Sequence, residues 1–313
     1  MYEVKKDILH SRCLVAGGGG FIGSRVVQLL LDKGSKEVVV IERHAPRSGR
    51  RHDARVRYVN VDVTNKKSVD VIKQLGKFDY VFNCIGNTDQ RMPCPDPQAI
   101  FESNVQTLMY LTEAIQWEHV RGAVHIGSNA EYGSQALPHT EDKRLQPTNM
   151  YGWSKASASL YAEIMTRAGL AKWCIARPFF VYGPGKRMGL IPDFLNALPM
   201  KDVFVLSGNV TRDPIYVNDV AEGLIRLAIC PRARGEAVNL CNGKEVSMKK
   251  IIEMIIYKIK RGKVVVSNNV RGGDMLQSKG SILKLKTLTG WSPGISLTEG
   301  LDRILQEYGF HTL

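Results

Sequence analysis

Short apolar runs alternate with longer segments of helical periodicity through the first half of the chain. Residues 13–16 have the length and apolarity of a buried strand, and the apolar positions of 21–31 recur at helical spacing. The pattern then repeats along the chain. Further strands are predicted at 37–42, 56–63, 80–84 and 123–126, further helices at 66–75, 98–118 and 151–167, and a loop at 92–97. This order predicts an α/β protein with a doubly wound, mostly parallel Rossmann sheet.

Four glycines separate the first predicted strand from the first helix. Gly17, Gly20 and Gly23 have the G-x-x-G-x-x-G spacing that allows a tight turn and a close approach of the backbone to a pyrophosphate. The helix then begins at Phe21 and Ile22, where free N–H groups and partial positive charge favour phosphate. A flexible glycine loop without a ligand is the alternative. The strand before the loop and the helix after it favour dinucleotide binding.

A carboxylate ends the second predicted strand. Glu42 lies about 20 residues beyond the first glycines, where an acidic side chain accepts hydrogen bonds from the adenosine ribose. It would also repel the 2′-phosphate of NADP, so it predicts NAD as the cofactor. The adjacent Arg43 leaves NADP open, because a guanidinium can pair with that phosphate.

A tyrosine and a lysine share one face of a predicted helix. Tyr151 and Lys155 are spaced i, i+4, which brings the phenol and the ammonium together. The positive charge is expected to lower the pKa of Tyr151 and to suit it to acid/base chemistry near neutrality. This spacing is common by chance, but here it follows a serine at a strand end and a dinucleotide-binding pattern.

Composition limits the class of protein. At 313 residues, 44% hydrophobic and 23% charged, the chain is long enough for one large or two interlocked domains of ordinary globular composition. No apolar segment approaches the roughly 20 residues of a membrane helix, and the N-terminus lacks a signal-peptide core, so we expect a cytoplasmic protein. The 6 cysteines form no CxxC pair and predict buried thiols rather than a disulfide or metal framework.

The net charge of +13 would fit nucleic acid, an acidic membrane or an anionic small molecule as a partner. The arginines of one segment are Arg43, Arg47, Arg50, Arg51, Arg55 and Arg57. A solvated basic loop is favoured there, because Tyr58 alone supplies an aromatic ring of the kind that a single-strand binding groove needs. The pattern therefore does not favour nucleic acid.

Taken in order, the motifs resemble the extended short-chain dehydrogenases/reductases, in particular the nucleotide-sugar epimerases, dehydratases and 4-keto reductases. The resemblance covers nearly the whole chain. It is carried by 17–23, Asp62-Val63, Asn104-Val105, Gly127-Ser128, Tyr132-Gly133, 151–155, Arg177-Pro178, 182–185, Arg212-Asp213, 215–220, 271–274 and 290–293.

The resemblance implies an arrangement of domains. The Rossmann domain would comprise 1–177, with 214–229 returning to it, and a smaller C-terminal α/β substrate domain would comprise 178–313. The site would lie in the cleft between them. A homodimer is implied through the helices that follow Gln98 and Tyr151, which the apolar Leu108, Leu111 and Ile115 permit.

The resemblance also implies roles for individual residues. Tyr151 would exchange a proton with a sugar hydroxyl, Ser128 would hydrogen-bond the same oxygen, and Lys155 would hold the nicotinamide ribose. The other implied cofactor contacts are Asp62, Val63, Asn83, Ile85, Gly86, Asn104 and Pro178. The implied contacts to a nucleotide-diphosphate sugar are Asn129, Arg212 and Arg271, and the planar guanidinium of an arginine suits a diphosphate.

Departures from the family pattern bear on the reaction. Phe180 stands where relatives often have an asparagine on the substrate diphosphate. The dehydratase subgroup has Asp-Glu directly after the position of Ser128, whereas Asn129-Ala130 follow here and leave only Glu131 as a substitute.

The sequence therefore predicts an NAD-dependent nucleotide-sugar epimerase that acts by reversible hydride transfer, at C4. An NAD(P)H-dependent reductase of a 4-keto-6-deoxy nucleotide sugar is the alternative. A 4,6-dehydratase and a non-catalytic dinucleotide-sensing or nucleic-acid-associated protein are less favoured.

Overall fold

Seven parallel strands form the central sheet, seen in a computed structural model that describes residues 4–44, 53–269 and 275–310. The strands of this sheet are β1 (Arg12–Ala16), β2 (Glu37–Glu42), β3 (Val56–Asn60), β4 (Tyr80–Asn83), β5 (Gly122–Ile126), β6 (Trp173–Pro178) and β11 (Ala237–Leu240). Their order across the sheet is β3-β2-β1-β4-β5-β6-β11, and all neighbours run parallel. The predicted α/β Rossmann fold is confirmed.

The remaining strands pair in twos outside this sheet. They are β7 (Phe180–Tyr182), β8 (Val203–Ser207), β9 (Thr211–Arg212), β10 (Pro214–Tyr216), β12 (Val246–Ser247) and β13 (Lys263–Ser267). The α-helices of the described residues are α1 (Val4–Ile8), α2 (Phe21–Asp32), α3 (Ser68–Gln74), α4 (Pro97–Phe101), α5 (Thr107–Ala114), α6 (Met150–Arg167), α7 (Leu190–Ala197), α8 (Val217–Ile229), α9 (Met248–Ile259), α10 (Leu283–Thr289) and α11 (Leu297–Glu307).

Helices cover both faces of the central sheet, because its inner strands are apolar on both sides. On one face, α2 and α8 share a core that includes Val26, Leu30 and Leu224. On the other face, α3, α5 and α6 pack over a core that includes Leu108 and Trp173. The strands are thus held rigidly, and the loops at their carboxyl ends have a fixed support.

A separate apolar core lies in the C-terminal part of the chain. It is formed by residues of α7, α9 and α11, with Phe194, Ile252 and Leu301 among its buried members. Strand β11 lies after position 178 yet pairs with β6 in the central sheet, and α8 packs on α2. The domain boundary at 177 stays a prediction.

The predicted helix at 98–118 is wrong in its continuity and its end. A turn of π-helix at Glu102–Gln106 separates α4 from α5, and the helix ends at Ala114. Its last turn is closed by the indole N–H of Trp117, which donates to the Thr112 carbonyl at 2.8 Å. The strand predicted at 56–63 likewise ends early, at Asn60.

Candidate active site

The glycine loop joins β1 to α2, and close backbone contacts shape it. Gly17 has a φ of +77°, a conformation that favours glycine. A Cβ on Gly23 would lie 2.2 Å from the carbonyl oxygen of Gly17, so only glycine lets α2 pack this closely on the loop. The N-cap Gly20 offers no side-chain acceptor to the N–H groups of the first turn, which Phe21 and Ile22 begin. The loop therefore fits the pyrophosphate of a dinucleotide.

The loop after β4 lies against the glycine loop. A Cβ on Gly17 would be 3.0 Å from backbone atoms of Cys84 and Ile85, at the point where the strand order changes direction between β1 and β4. Buried Asn104 holds this loop from the π-helical turn. Its Oδ1 accepts from the N–H of Asn87 at 2.7 Å, and its Nδ2 donates to the Asn87 carbonyl at 3.0 Å.

A buried pair of side chains supports the same loop from below. Asn83 Nδ2 donates to Nδ1 of His125 at 3.1 Å, and Asn83 Oδ1 accepts from the N–H of Ile85 at 3.1 Å. Burial lowers the pKa of His125 well below its ordinary value, so the ring stays neutral and can accept. Asn83 is fully buried, which makes it a support for Ile85 rather than an open surface for a ligand.

The residues predicted at the adenosine end lie together at the tips of β2 and β3. Glu42 ends β2 and is partly buried, Arg43 is exposed, and Val63 is buried. The Asp62 carboxylate accepts from the N–H of Thr64 at 3.0 Å and from its hydroxyl at 2.7 Å. Although partial burial acts in the opposite direction, these bonds and the charge of Arg43 lower the pKa of Asp62. The Asp62 carboxylate is therefore kept ionised at this end of the sheet.

Ser128 begins a 3₁₀ turn, Asn129–Glu131, directly after β5. Its Oγ accepts from the N–H of Ala130 at 3.1 Å, and its own N–H donates to Oε1 of Glu131 at 2.7 Å. Two backbone donors are thus satisfied reciprocally, as in a capping box. The Ser128 hydroxyl keeps its proton free to donate.

Tyr151 lies in the first turn of α6, which is capped by Asn149. Burial raises the pKa of Tyr151, a hydrogen bond with Ser128 lowers it in part, and the charge of Glu131 raises it again. The predicted lowering of this pKa is wrong, because removal of the phenol from water raises it by more than the Ser128 hydrogen bond lowers it. Ser128 and Tyr151 are nevertheless in direct contact, as a shared sugar oxygen requires.

Lys155 lies one turn further along α6 and is buried. Its Nζ donates to the Ile126 carbonyl at 2.8 Å, and a Cβ on Gly86 would lie 3.0 Å from that nitrogen. Burial lowers the pKa of Lys155 to about 8. The ammonium therefore lies between the tip of β5 and the loop after β4, next to exposed Gly86.

The predicted substrate residues are only partly brought together. Asn129 Nδ2 donates to Ser278 Oγ at 2.8 Å. Arg212 Nη1 donates to the carbonyls of Thr211 at 2.9 Å and Met275 at 2.7 Å. Asn129 and Arg212 thus both bond to the segment at 275–278. Pro178 is buried at the end of β6, and Arg271 lies outside the described residues, as do Arg47, Arg50 and Arg51.

Glu131 and Arg177 are the side chains that the sequence-based prediction of the site left out. Glu131 is fully buried, and its Oε2 accepts from Nε of Arg177 at 2.8 Å. The S-x-x-E spacing from Ser128 is a local signal of a capping box that could have indicated Glu131. Arg177 belongs to a motif of the family resemblance, but its pairing with Glu131 has no local signal, because the two residues are 46 positions apart.

The described residues offer neither a metal site nor a membrane-spanning helix. Among the residues at 4–44, 53–269 and 275–310, no group of three or more His, Cys, Asp or Glu side chains could hold a metal ion. No helix in the same ranges has the length and apolarity needed to span a membrane. All 6 cysteines are free.

Known proteins are similar to this chain over nearly their whole length. The model of the NAD dependent epimerase/dehydratase family matches residues 13–241. A putative UDP-glucose 4-epimerase of Methanocaldococcus jannaschii is 26% identical over 300 residues, which cover 93% of this chain and 96% of that protein. Epimerase Mth375 of Methanothermobacter thermautotrophicus has a TM-score of 0.89 at 22% identity, over 98% of this chain and 95% of that one. The complex of MoeE5 with UDP-glucuronic acid and NAD has a TM-score of 0.84 at 25% identity, over 95% of this chain and 99% of that one.

Proposed function

The chain belongs to the NAD-dependent epimerase/dehydratase family, and on that premise we propose that it is a nucleotide-sugar epimerase. NAD is the cofactor that the family description names, which agrees with the glycine loop and Glu42. The finer proposal is that the substrate is a UDP-sugar and that the inverted carbon is C4. It is supported by the relative named a putative UDP-glucose 4-epimerase and by MoeE5, whose complex contains UDP-glucuronic acid and NAD.

The observation that carries the proposal is the contact between Ser128 and Tyr151 at the tip of β5, one helical turn from Lys155. NAD held by the glycine loop and Glu42 would supply reversible hydride transfer at the sugar carbon. Tyr151 accepts the proton of the sugar hydroxyl and gives it back. Ser128 donates to the same oxygen and keeps it in line with the phenol, while Lys155 holds the nicotinamide ribose.

The contacts of Glu131 weigh against a 4,6-dehydratase. That reaction needs two further positioned acid/base groups, and Asn129-Ala130 offer neither. Glu131 was the only substitute, but its carboxylate is buried and engaged by Ser128, Ser159 and Arg177. The reductase stays the alternative, since it needs the same serine, tyrosine and lysine. Their presence also weighs against a non-catalytic role.

Incubation of the purified protein with UDP-glucose and with UDP-glucuronic acid, without added cofactor, tests the proposal. An epimerase regenerates its NAD in every cycle, so we expect interconversion of the C4 epimers, followed by chromatography of the sugar nucleotides. Mass spectrometry of the released cofactor should identify NAD. Turnover of a 4-keto sugar that consumes stoichiometric NAD(P)H, with no interconversion, would identify a reductase instead.

Glu42 is expected to make the protein bind NAD more tightly than NADP. A 2′-phosphate would meet the Glu42 carboxylate, and like charges about 4 Å apart in water cost about 1 kcal/mol per unit charge, or roughly fivefold in affinity. Titration of both cofactors at equal ionic strength measures the ratio. Glu42→Gln should reduce the difference in affinity between NAD and NADP. Arg43→Gln should weaken the binding of NADP and leave the binding of NAD unchanged. Tighter binding of NADP by the unaltered protein would contradict the prediction.

The homodimer stays a prediction, but the apolar side chains that were expected to permit it are not available at the surface. Leu108, Leu111 and Ile115 are buried in the monomer's own core. A dimer built on α5 and α6 would instead use the exposed apolar side chains there, which are Met109, Trp153, Leu160 and Ile164.

A further inference from the structure

A buried ion pair lies directly behind the turn that carries Ser128. The Arg177 and Glu131 side chains are 6% and 0% exposed, and Nε of Arg177 is 2.8 Å from Oε2 of Glu131. We propose that Glu131, held by Arg177, is the positioning residue of this site: it fixes the direction of the Ser128 hydroxyl and sets the electrostatic field at Tyr151. The inference rests on the proposed function, because it assigns a part in that chemistry.

Stability alone does not account for such a pair. Taking two charges out of water costs several kcal/mol per ion, and well-packed apolar side chains of similar volume are often as stable or more stable. Arg177 nevertheless has more than one hydrogen-bond partner at this place. Its guanidinium also donates to the hydroxyl of Tyr132 at 3.0 Å, and the Tyr132 hydroxyl donates to Asn239 Oδ1 at 2.7 Å. The network fixes the Glu131 carboxylate from behind.

The fixed carboxylate determines the geometry of the catalytic turn. Its Oε1 accepts both from the N–H of Ser128 at 2.7 Å and from Oγ of Ser159 on α6 at 3.0 Å. The β5 tip and α6, the two elements that carry Ser128 and Tyr151, are therefore tied to one oxygen atom. A shift of that atom would move the serine relative to the phenol.

The same carboxylate contributes a negative charge to the site. Burial has the largest effect on Tyr151 and raises its pKa, and the charge of Glu131 raises it further. Glu131 also opposes the lowering of the Lys155 pKa that burial causes. Other charged groups near this network include Arg177 of β6, Lys155 of α6 and Glu141 of the loop before α6. Lys284 lies near Glu141, and buried His139 has a pKa lowered to about 4 by burial and is neutral. Removal of the Glu131 charge should therefore lower the pKa of Tyr151.

Glu131→Gln tests the inference, because it removes the charge and keeps the size. We expect kcat to fall about 10- to 100-fold, the loss typical of a small misplacement of a catalytic group. The rise of activity with pH, which follows ionisation of the Tyr151 phenol, should move to lower pH. A readout independent of turnover is the ultraviolet difference titration of the phenolate, taken between each protein and its Tyr151→Phe counterpart.

Two further variants keep the test decisive. Glu163→Gln removes an exposed carboxylate of α6 that pairs with Arg167, and it should change neither the rate nor the titration. If Glu131→Gln does not fold, Glu131→Gln/Arg177→Met removes both buried charges and should show a smaller shift to lower pH, because the two charges act on the phenol in opposite directions. An unmoved phenolate titration in a folded variant would overturn the inference. A shifted titration in a protein that turns over no nucleotide sugar would support the inference and overturn the proposed function.

Discussion

Tyr151→Phe is expected to lower turnover by about 10²- to 10⁴-fold, the contribution typical of a positioned acid/base group. The variant keeps the aromatic ring and removes only the hydroxyl that contacts Ser128. Because the phenol is buried at the start of α6 and the glycine loop lies on the other side of the strand tips, NAD should bind as before. Turnover of the UDP-sugar and equilibrium binding of NAD, measured on the same preparation, separate the two effects.

Tyr161→Phe is the matched control for this prediction. Tyr161 lies on the same helix and is only partly buried, packed against the core that α3 and α5 share. Loss of its hydroxyl should leave turnover within a few-fold of the unaltered protein. A Tyr151→Phe variant that works at nearly the normal rate would remove Tyr151 from the mechanism, whatever the control shows.

The architecture of the sheet was predictable because its signals are local. Each buried strand is a short apolar run, and the glycine loop lies directly between β1 and the start of α2. The interruption at Glu102–Gln106 was not predictable in this way. A π-helical turn keeps the apolar periodicity nearly intact, so the sequence pattern does not reveal it. The turn places Asn104 where its side chain hydrogen-bonds to the backbone of Asn87 in the loop after β4, and this contact is distant in sequence.

The sequence was enough to identify the candidate catalytic side chains, but it was not enough to predict how their surroundings shift their pKa values. The i, i+4 spacing of Tyr151 and Lys155 brings a charge near a phenol but says nothing about how much water surrounds either group. In the structure both are buried, and burial is the largest effect on the pKa of Tyr151, which it raises. The ion pair of Glu131 with Arg177 was not predictable for a similar reason. The two residues come together only because β5 pairs with β6 in the sheet.

Gly23→Ala is expected to abolish productive NAD binding. The new Cβ would lie 2.2 Å from the Gly17 carbonyl oxygen and 2.9 Å from Gly17 C and Gly18 Cα, all backbone atoms that cannot rotate away. The first turn of α2 must then separate from the glycine loop. Loss of two charge-assisted hydrogen bonds to the pyrophosphate, at about 1.5–3 kcal/mol each, corresponds to roughly 10²- to 10⁴-fold in affinity.

Gly20→Ala, in the same loop, is the control for this prediction. Gly20 has a φ of −75°, which any residue adopts, and its Cβ would lie 3.2 Å from the Gly17 carbonyl oxygen. We expect a small loss of affinity there and none for Gly294→Ala, where nothing lies within 4 Å of the added atom. Calorimetric titration with NAD measures all three, and thermal unfolding without NAD shows whether Gly23→Ala still folds. Equal affinities for the Gly20 and Gly23 variants would mean that contact between α2 and the loop does not shape the dinucleotide site.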